Sequence, residues 1–123
     1  MPLLVVESLV GLVIFDLASL FGFEKAYALV RNWPVRRRRS SRMNVATVCS
    51  AVDEACVWYF KRARCLQRSA VTTWLLRLHG VAASLVIGFR PVPMESHAWV
   101  EVGGEVVNDR PQYQRFFQVL DRL

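Results

Sequence analysis

The sequence predicts an α+β fold: helices first, a cysteine-bearing helix packed on a small antiparallel sheet, and a short helix to close. Three observations carry this. Apolar residues recur near intervals of three or four in three segments, Leu3 to Phe21, Val45 to Tyr59 and Leu66 to Leu78; apolar and alternating strand-like runs follow from Val81 to Asp109; and glycines at 80 and 103–104 fall where those segments would end or turn. The chain has 123 residues, enough for one domain with a single core. Its 21% charged and 54% hydrophobic residues describe a folded protein rather than a disordered one. So high an apolar share points to a surface that meets a partner, although a compact enzyme with a buried sheet would read the same way.

Residues 1–33 read as an apolar N-terminal helix. Leu3, Val6, Val10, Val13, Leu17, Leu20 and Phe21 form its stripe, expected to lie along the rest of the domain. Glu7, Asp16 and Glu24 interrupt the segment, and its longest uncharged run, Ser8 to Phe15, is too short to span a bilayer. No transmembrane segment is therefore expected, and the same stripe could instead dock a partner protein or meet a membrane face. Without a basic region ahead of it or a small-residue cleavage site after it, the segment does not read as a secretory signal. Three cysteines cannot all pair, so a reducing cytoplasm is the expected location.

Pro34 ends the first helix, because the residue before a proline is pushed out of helical geometry. Residues 34–43 form a basic loop around Arg36-Arg-Arg-Arg-Ser-Ser-Arg42, which supplies five of the sixteen basic residues and so localises part of the +6 net charge. No aromatic stacking platform or base-reading helix accompanies it. Nucleic acid is thus not the expected partner, and attraction to an acidic peptide or protein is the better reading.

Residues 44–123 read as the core. A helix capped by Asn44 should run to about Lys61, burying Val45, Val48, Cys49, Val52, Cys56 and Tyr59. Cys49 and Cys56 lie two turns apart, unlike a zinc or redox motif; they are expected as small buried residues, and no metal or cofactor site is predicted. The next helix begins at Cys65, with Leu66, Val71, Trp74, Leu75 and Leu78 near helical spacing and Gly80 at its end. His79 fits a helix-end histidine favoured by the dipole. Val81 to Phe89 is apolar on both alternating sets, as in a central strand covered on both faces. Pro91 and Pro93 should hold an extended loop that walls a substrate cleft. Two strands then flank Gly103-Gly104, and Tyr113, Phe116, Phe117 and Leu120 suggest a short amphipathic closing helix.

Chemistry concentrates between Cys65 and Asp109. A thiol in the first turn of a helix faces unpaired backbone N–H groups and the positive end of the dipole, and Arg64 and Arg68 are close in sequence; all favour thiolate. His97 and Asp109 on neighbouring strands supply a base and a group to orient it. A two-residue loop at Gly103-Gly104 would pair Val102 with Glu105 and send His97 and Asp109 to opposite faces. A three-residue loop of Val102, Gly103 and Gly104 would pair Glu101 with Glu105, Trp99 with Val107 and His97 with Asp109. The second register is therefore expected.

These residues carry a resemblance. Cys65-Leu-Gln-Arg-Ser69, Ser96-His-Ala-Trp-Val-Glu-Val102 and Val107-Asn-Asp109, with Ala55-Cys-Val-Trp-Tyr59 before them and Phe117-Gln-Val-Leu-Asp-Arg122 after, resemble the small leader peptidases of lasso-peptide biosynthesis. That group belongs to the transglutaminase-like branch of papain-type cysteine proteases. The resemblance covers roughly residues 45 to 122. It implies a minimal papain-type core, Cys65 as nucleophile, His97 as general base and then acid, and Asp109 as orienting group. It implies a ribosomally made precursor peptide as substrate, a separate leader-binding protein that presents it, and an ATP-using cyclase that closes the ring afterwards. For the oxyanion, the Cys65 backbone N–H is the first donor expected and the Gln67 side chain a second; Arg68 and Trp99 are candidate substrate contacts. Two other readings stay open: transfer of the acyl group to an amine, as in related transglutaminases and arylamine acetyltransferases, and a non-catalytic basic binding module.

Overall fold

A computed structural model of the chain describes residues 3–33, 45–59, 65–91, 94–109 and 117–123. Among the described residues four helices precede four strands: α1 (Leu3–Leu20), α2 (Phe23–Arg31), α3 (Val45–Trp58), α4 (Cys65–Leu78), β1 (Ala83–Pro91), β2 (Met94–Val102), β3 (Glu105–Val106) and β4 (Gln118–Arg122). The strands form one antiparallel sheet in the order β3-β2-β1-β4. The architecture is α+β, as the sequence predicts.

Helix α4 is the hub. It packs against α1, α3, β1 and β2, and from Gln67 to Arg77 only Arg68 and Trp74 escape full burial. A helix buried all round must satisfy its own polar side chains. The Thr72 and Thr73 hydroxyls donate back to the carbonyls of Arg68 (2.8 Å) and Ser69 (2.9 Å). Arg77 spreads its guanidinium over backbone carbonyls of three segments, donating to Ala83 O at 2.9 Å, to Leu123 O at 2.6 Å, and to the Val30 carbonyl in the last turn of α2. The fork geometry of arginine suits this role, and burial lowers the pKa of the group. Gly80, at φ 87°, ends the helix with Val81 N–H donating to Leu76 O at 2.9 Å.

The N-terminal segment is two helices, broken at Gly22 with φ 108°. Its packing face also differs from expectation. Leu3, Val6, Val10, Val13, Leu17, Leu20 and Phe21 are the exposed residues, and Val5, Ser8, Gly11, Leu12 and Phe15 are the buried ones. Helix α1 is apolar around its circumference, so spacing alone could not select a face. Close approach selects it: a Cβ on Gly11 would stand 2.9 Å from both Trp74 and Val71. Among the described residues α1 is the one helix long and apolar enough to cross a membrane by length and composition. The two acids that interrupt it turn toward the domain, where Glu7 Oε2 lies 3.4 Å from His79 Nε2 and Asp16 accepts a short hydrogen bond from the Tyr59 hydroxyl.

Helix α3 buries Val48, Cys49, Ala51, Val52 and Ala55, in line with the expected face. Its predicted Asn44 cap, the residue 34–43 loop, Lys61 and Arg64 lie outside the described residues.

Strand β1 is central, flanked by β2 and β4. Ala83, Leu85, Ala98 and Val100 join the core beneath the helices, while Val86 and Trp99 on the opposite face form a second cluster with Phe117. Gly88 is required there, since a Cβ would fall 2.5 Å from the Trp99 ring. Three expectations fail in this region. β1 and β2 stay paired as far as Pro91 and Met94, so Pro91 and the approach to His97 are strand where an extended loop and cleft wall were expected; Pro93 lies outside the described residues. The β2–β3 pairing is Val102 with Glu105 and Glu101 with Val106, the two-residue register, because Gly103 (φ 61°) and Gly104 (φ 83°) both adopt the positive φ of a type I′ turn. Finally, Gln118–Arg122, expected within a closing helix, form strand β4. It covers the outer edge of β1, with Leu123 and Leu85 exchanging backbone bonds at 2.8 and 3.2 Å. Tyr113 and Phe116 lie outside the described residues.

Candidate active site

Cys65 opens α4 and His97 sits in β2; with Leu66, Ile87, Ser96 and Ala98 they line one cleft of about 90 Å³. His97 Nε2 lies 3.0 Å from Asp109 Oδ2, with both side chains largely buried. A carboxylate offers only acceptors, so Nε2 carries the shared proton. The His97 ring is bracketed by Trp99, with centroids 6.3 Å apart and planes at 26°, and by Phe117 at 6.0 Å. Cys65 and His97 thus share one cleft, and Asp109 contacts His97.

Asp109 reaches His97 despite a hairpin register that sends the two positions to opposite faces of a regular ladder. Strand β3 ends at Val106, and after Val107 N–H donates to Val100 O at 3.0 Å the backbone bends away at 108–109. The Asn108 side chain then takes the place of the ladder. Its Oδ1 accepts from Val100 N–H at 2.8 Å and its Nδ2 donates to Ser69 Oγ at 3.0 Å. Ser69, fully buried, donates in turn to Ala98 O at 3.1 Å. This departure from strict alternation delivers Asp109 to His97.

Arg68 approaches the same carboxylate from α4. Its Nη2 lies 3.0 Å from Asp109 Oδ2, and its Nη1 lies 3.8 Å from Asp53 Oδ1. The candidate substrate contact is therefore a partner of Asp109. Burial pushes the Asp53 carboxyl above its usual range, against the pull of Arg68.

Two other candidates are placed elsewhere. Trp99 has no accessible surface and spends its indole N–H on Glu101 Oε2 at 2.9 Å, so it is a core residue and not a substrate contact. The Gln67 side chain is buried against α1, where Nε2 donates to Leu12 O at 3.0 Å; a polar group among apolar neighbours is held by the nearest carbonyl, not kept for an oxyanion. The Cys65 backbone N–H keeps its position at the helix start.

The other two cysteines are free thiols packed in the core region. Burial, with the nearby Asp53 carboxylate adding to it, pushes the Cys49 thiol up to about 11, and burial raises Cys56 as well. Neither is disposed to ionise near neutral pH. Sequence reasoning overlooked Ser69, Asn108 and Phe117 as supports of the site. The available signal was the glycine pair, whose two positive φ angles demand a two-residue turn and so require some device beyond β3 to bring Asp109 across.

Residues 10–122 match the transglutaminase-like superfamily. The microcin J25-processing protein McjB of Escherichia coli is 41% identical over 62 residues, which make up 50% of this chain and 30% of that protein. No solved structure matches the chain. A cysteine at the head of a buried helix, a histidine on the sheet beneath it and an aspartate at 3.0 Å from that histidine accompany a match across nearly the whole sequence; this chain belongs to the transglutaminase-like superfamily.

Proposed function

We propose that this protein is a cysteine peptidase that removes the leader from a ribosomally made lasso-peptide precursor. The observation that carries the proposal is the His97–Asp109 contact at the cleft that Cys65 lines. Support for the substrate comes from the resemblance to lasso leader peptidases and from a relative named for processing a microcin.

With Nε2 directed to Asp109, proton transfer falls to His97 Nδ1. It takes the Cys65 thiol proton, and the sulfur attacks the scissile carbonyl carbon. The carbonyl oxygen becomes an oxyanion, with the Cys65 backbone N–H at the start of α4 as a donor. As the intermediate collapses, the C–N bond breaks and His97 returns the proton to the leaving amine of the core peptide. Water then enters, His97 removes its proton, and hydrolysis of the thioester releases a leader with a free carboxylate. Asp109 keeps its carboxylate throughout, holding the ring and stabilising the imidazolium. No metal or organic cofactor enters this scheme. A separate leader-binding protein would present the precursor and an ATP-using cyclase would consume the core, both in a reducing cytoplasm.

Membership of the transglutaminase-like superfamily supports a second reading, transfer of the acyl group to an amine instead of water. Mass spectrometry of a precursor incubated with its leader-binding partner and either wild-type or Cys65→Ala protein tests both. Two fragments summing to precursor plus one water, from wild type alone, support hydrolysis; a leader of amide mass supports transfer. An intact precursor with every component folded overturns both.

A further inference from the structure

The outer face of α1 takes no part in the site or the core. Leu3, Val6, Val10, Val13, Leu17 and Leu20 alternate intervals of three and four, the a and d spacing of a coiled-coil seam, and each is 41% to 81% exposed. Ile14 and Phe21 widen the stripe and are exposed as well. The inner face already carries the domain through Val5, Leu12 and Phe15. A helix apolar on all sides is one covered on all sides.

Three features decide what covers it. First, the seam is uncharged: α1 contains no lysine or arginine, and both of its acids are turned to His79 and Tyr59. An interfacial membrane helix is instead rich in basic residues on its polar face, and here the face opposite the seam is packed on α3 and α4. Second, an uncharged stripe offers no charge pattern to select a different partner, whereas it is complementary to itself under a two-fold axis. The inward turn of Glu7 and Asp16 also removes the like charges that would oppose such pairing. Third, the area fits. The eight side chains present on the order of 800 Å² of surface, above the ~300–600 Å² of the largest patch on a typical monomer, and two copies together reach the ~1,600 Å² of a standard interface.

We propose that the protein forms a two-fold dimer in which α1 of one copy packs its outer stripe on α1 of the other. This is independent of the catalytic reading. The test is sedimentation of the purified full chain across a range of concentrations, using Val10→Glu/Val13→Glu and Val10→Lys/Val13→Lys variants whose folding is checked by circular dichroism. The wild type should sediment at twice the monomer mass. Each variant alone should be monomeric, with its dissociation constant raised at least ~100-fold, and an equal mixture of the two should recover a dimer because opposite charges then meet at the seam. A folded wild type that stays monomeric overturns the proposal, as does a dimer indifferent to both variants. So does a monomer that floats with lipid vesicles, or one that covers α1 only when a second protein is added.

Discussion

Replacing Asn108 by alanine separates positioning from packing. The substitution removes the acceptor of the Val100 N–H, which lies under a fully buried residue, and the donor to Ser69 Oγ. An orphaned buried N–H costs about 1–3 kcal/mol, and losing the second bond adds about 1 kcal/mol, since Ser69 keeps its bond to Ala98 O. A loss of about 2–4 kcal/mol is a large part of a typical ~5–15 kcal/mol stability but leaves the chain folded, with Tm lower by roughly 10–20 °C. The catalytic effect is separate. Asp109 follows directly in sequence, and once Asn108 no longer pins the bend a carboxylate displacement near 1 Å would cost about 100-fold in rate. Timed mass spectrometry of precursor cleavage should show kcat falling by that factor with KM little changed. Asn108→Asp keeps an acceptor for Val100 and should recover much of the stability. If Asn108→Ala is destabilised as calculated yet cleaves at the wild-type rate, Asn108 packs the edge of the sheet and does not position Asp109. An unchanged Tm would refute the hydrogen-bond reasoning itself.

Asp109→Asn should leave the circular dichroism spectrum unchanged while lowering kcat by about 10⁴-fold, because an amide no longer enforces the tautomer His97 needs. A merely tenfold loss in the cleavage assay would assign the orienting role elsewhere. Thermal stability should fall as pH rises from 9 toward 11. The Cys49 thiol holds its proton to about 11 in the fold and to about 9 when unfolded, so the native state binds more protons across that window and stability declines with pH. Cys49→Ala should flatten part of that decline in melts at stepped pH. Gly88→Ala sets a methyl against the Trp99 ring and should destabilise by about 1–3 kcal/mol in urea titrations.

The cysteine helix, the central strand and the α3 face were legible because each has one dominant signal. Cys65 precedes an apolar period that Gly80 stops, and Val81 to Phe89 is apolar on both faces, which leaves little choice of position in a sheet. Where two signals competed, spacing misled. Helix α1 carries two apolar stripes, and the one that reads more regularly is the one left outside, since the close contact at Gly11 depends on Trp74 some sixty residues away. The closing segment has Phe117 and Leu120 at helical spacing, yet the unpaired edge of β1 claims the chain as strand. That demand is tertiary and invisible to a local period.

The His97–Asp109 contact was legible for a different reason: it does not depend on the hairpin register. A three-residue turn puts His97 and Asp109 on one face of a regular ladder, whereas the actual two-residue turn reaches the same contact through a bend. What makes the contact robust is α4, not the hairpin. Cys65, Arg68 and Ser69 stand at positions i, i+3 and i+4 of one helical turn, on a shared face. Cys65 lines the cleft, Arg68 holds the Asp109 carboxylate at 3.0 Å, and Ser69 holds both Asn108 and the Ala98 carbonyl beside His97. One turn of a buried helix therefore sets Cys65, the Asp109 carboxylate and the His97 strand against each other. A rotation of α4 would move all three together, so the geometry that matters is encoded within five consecutive residues, Cys65 to Ser69, while the connecting hairpin needs only enough freedom to reach them.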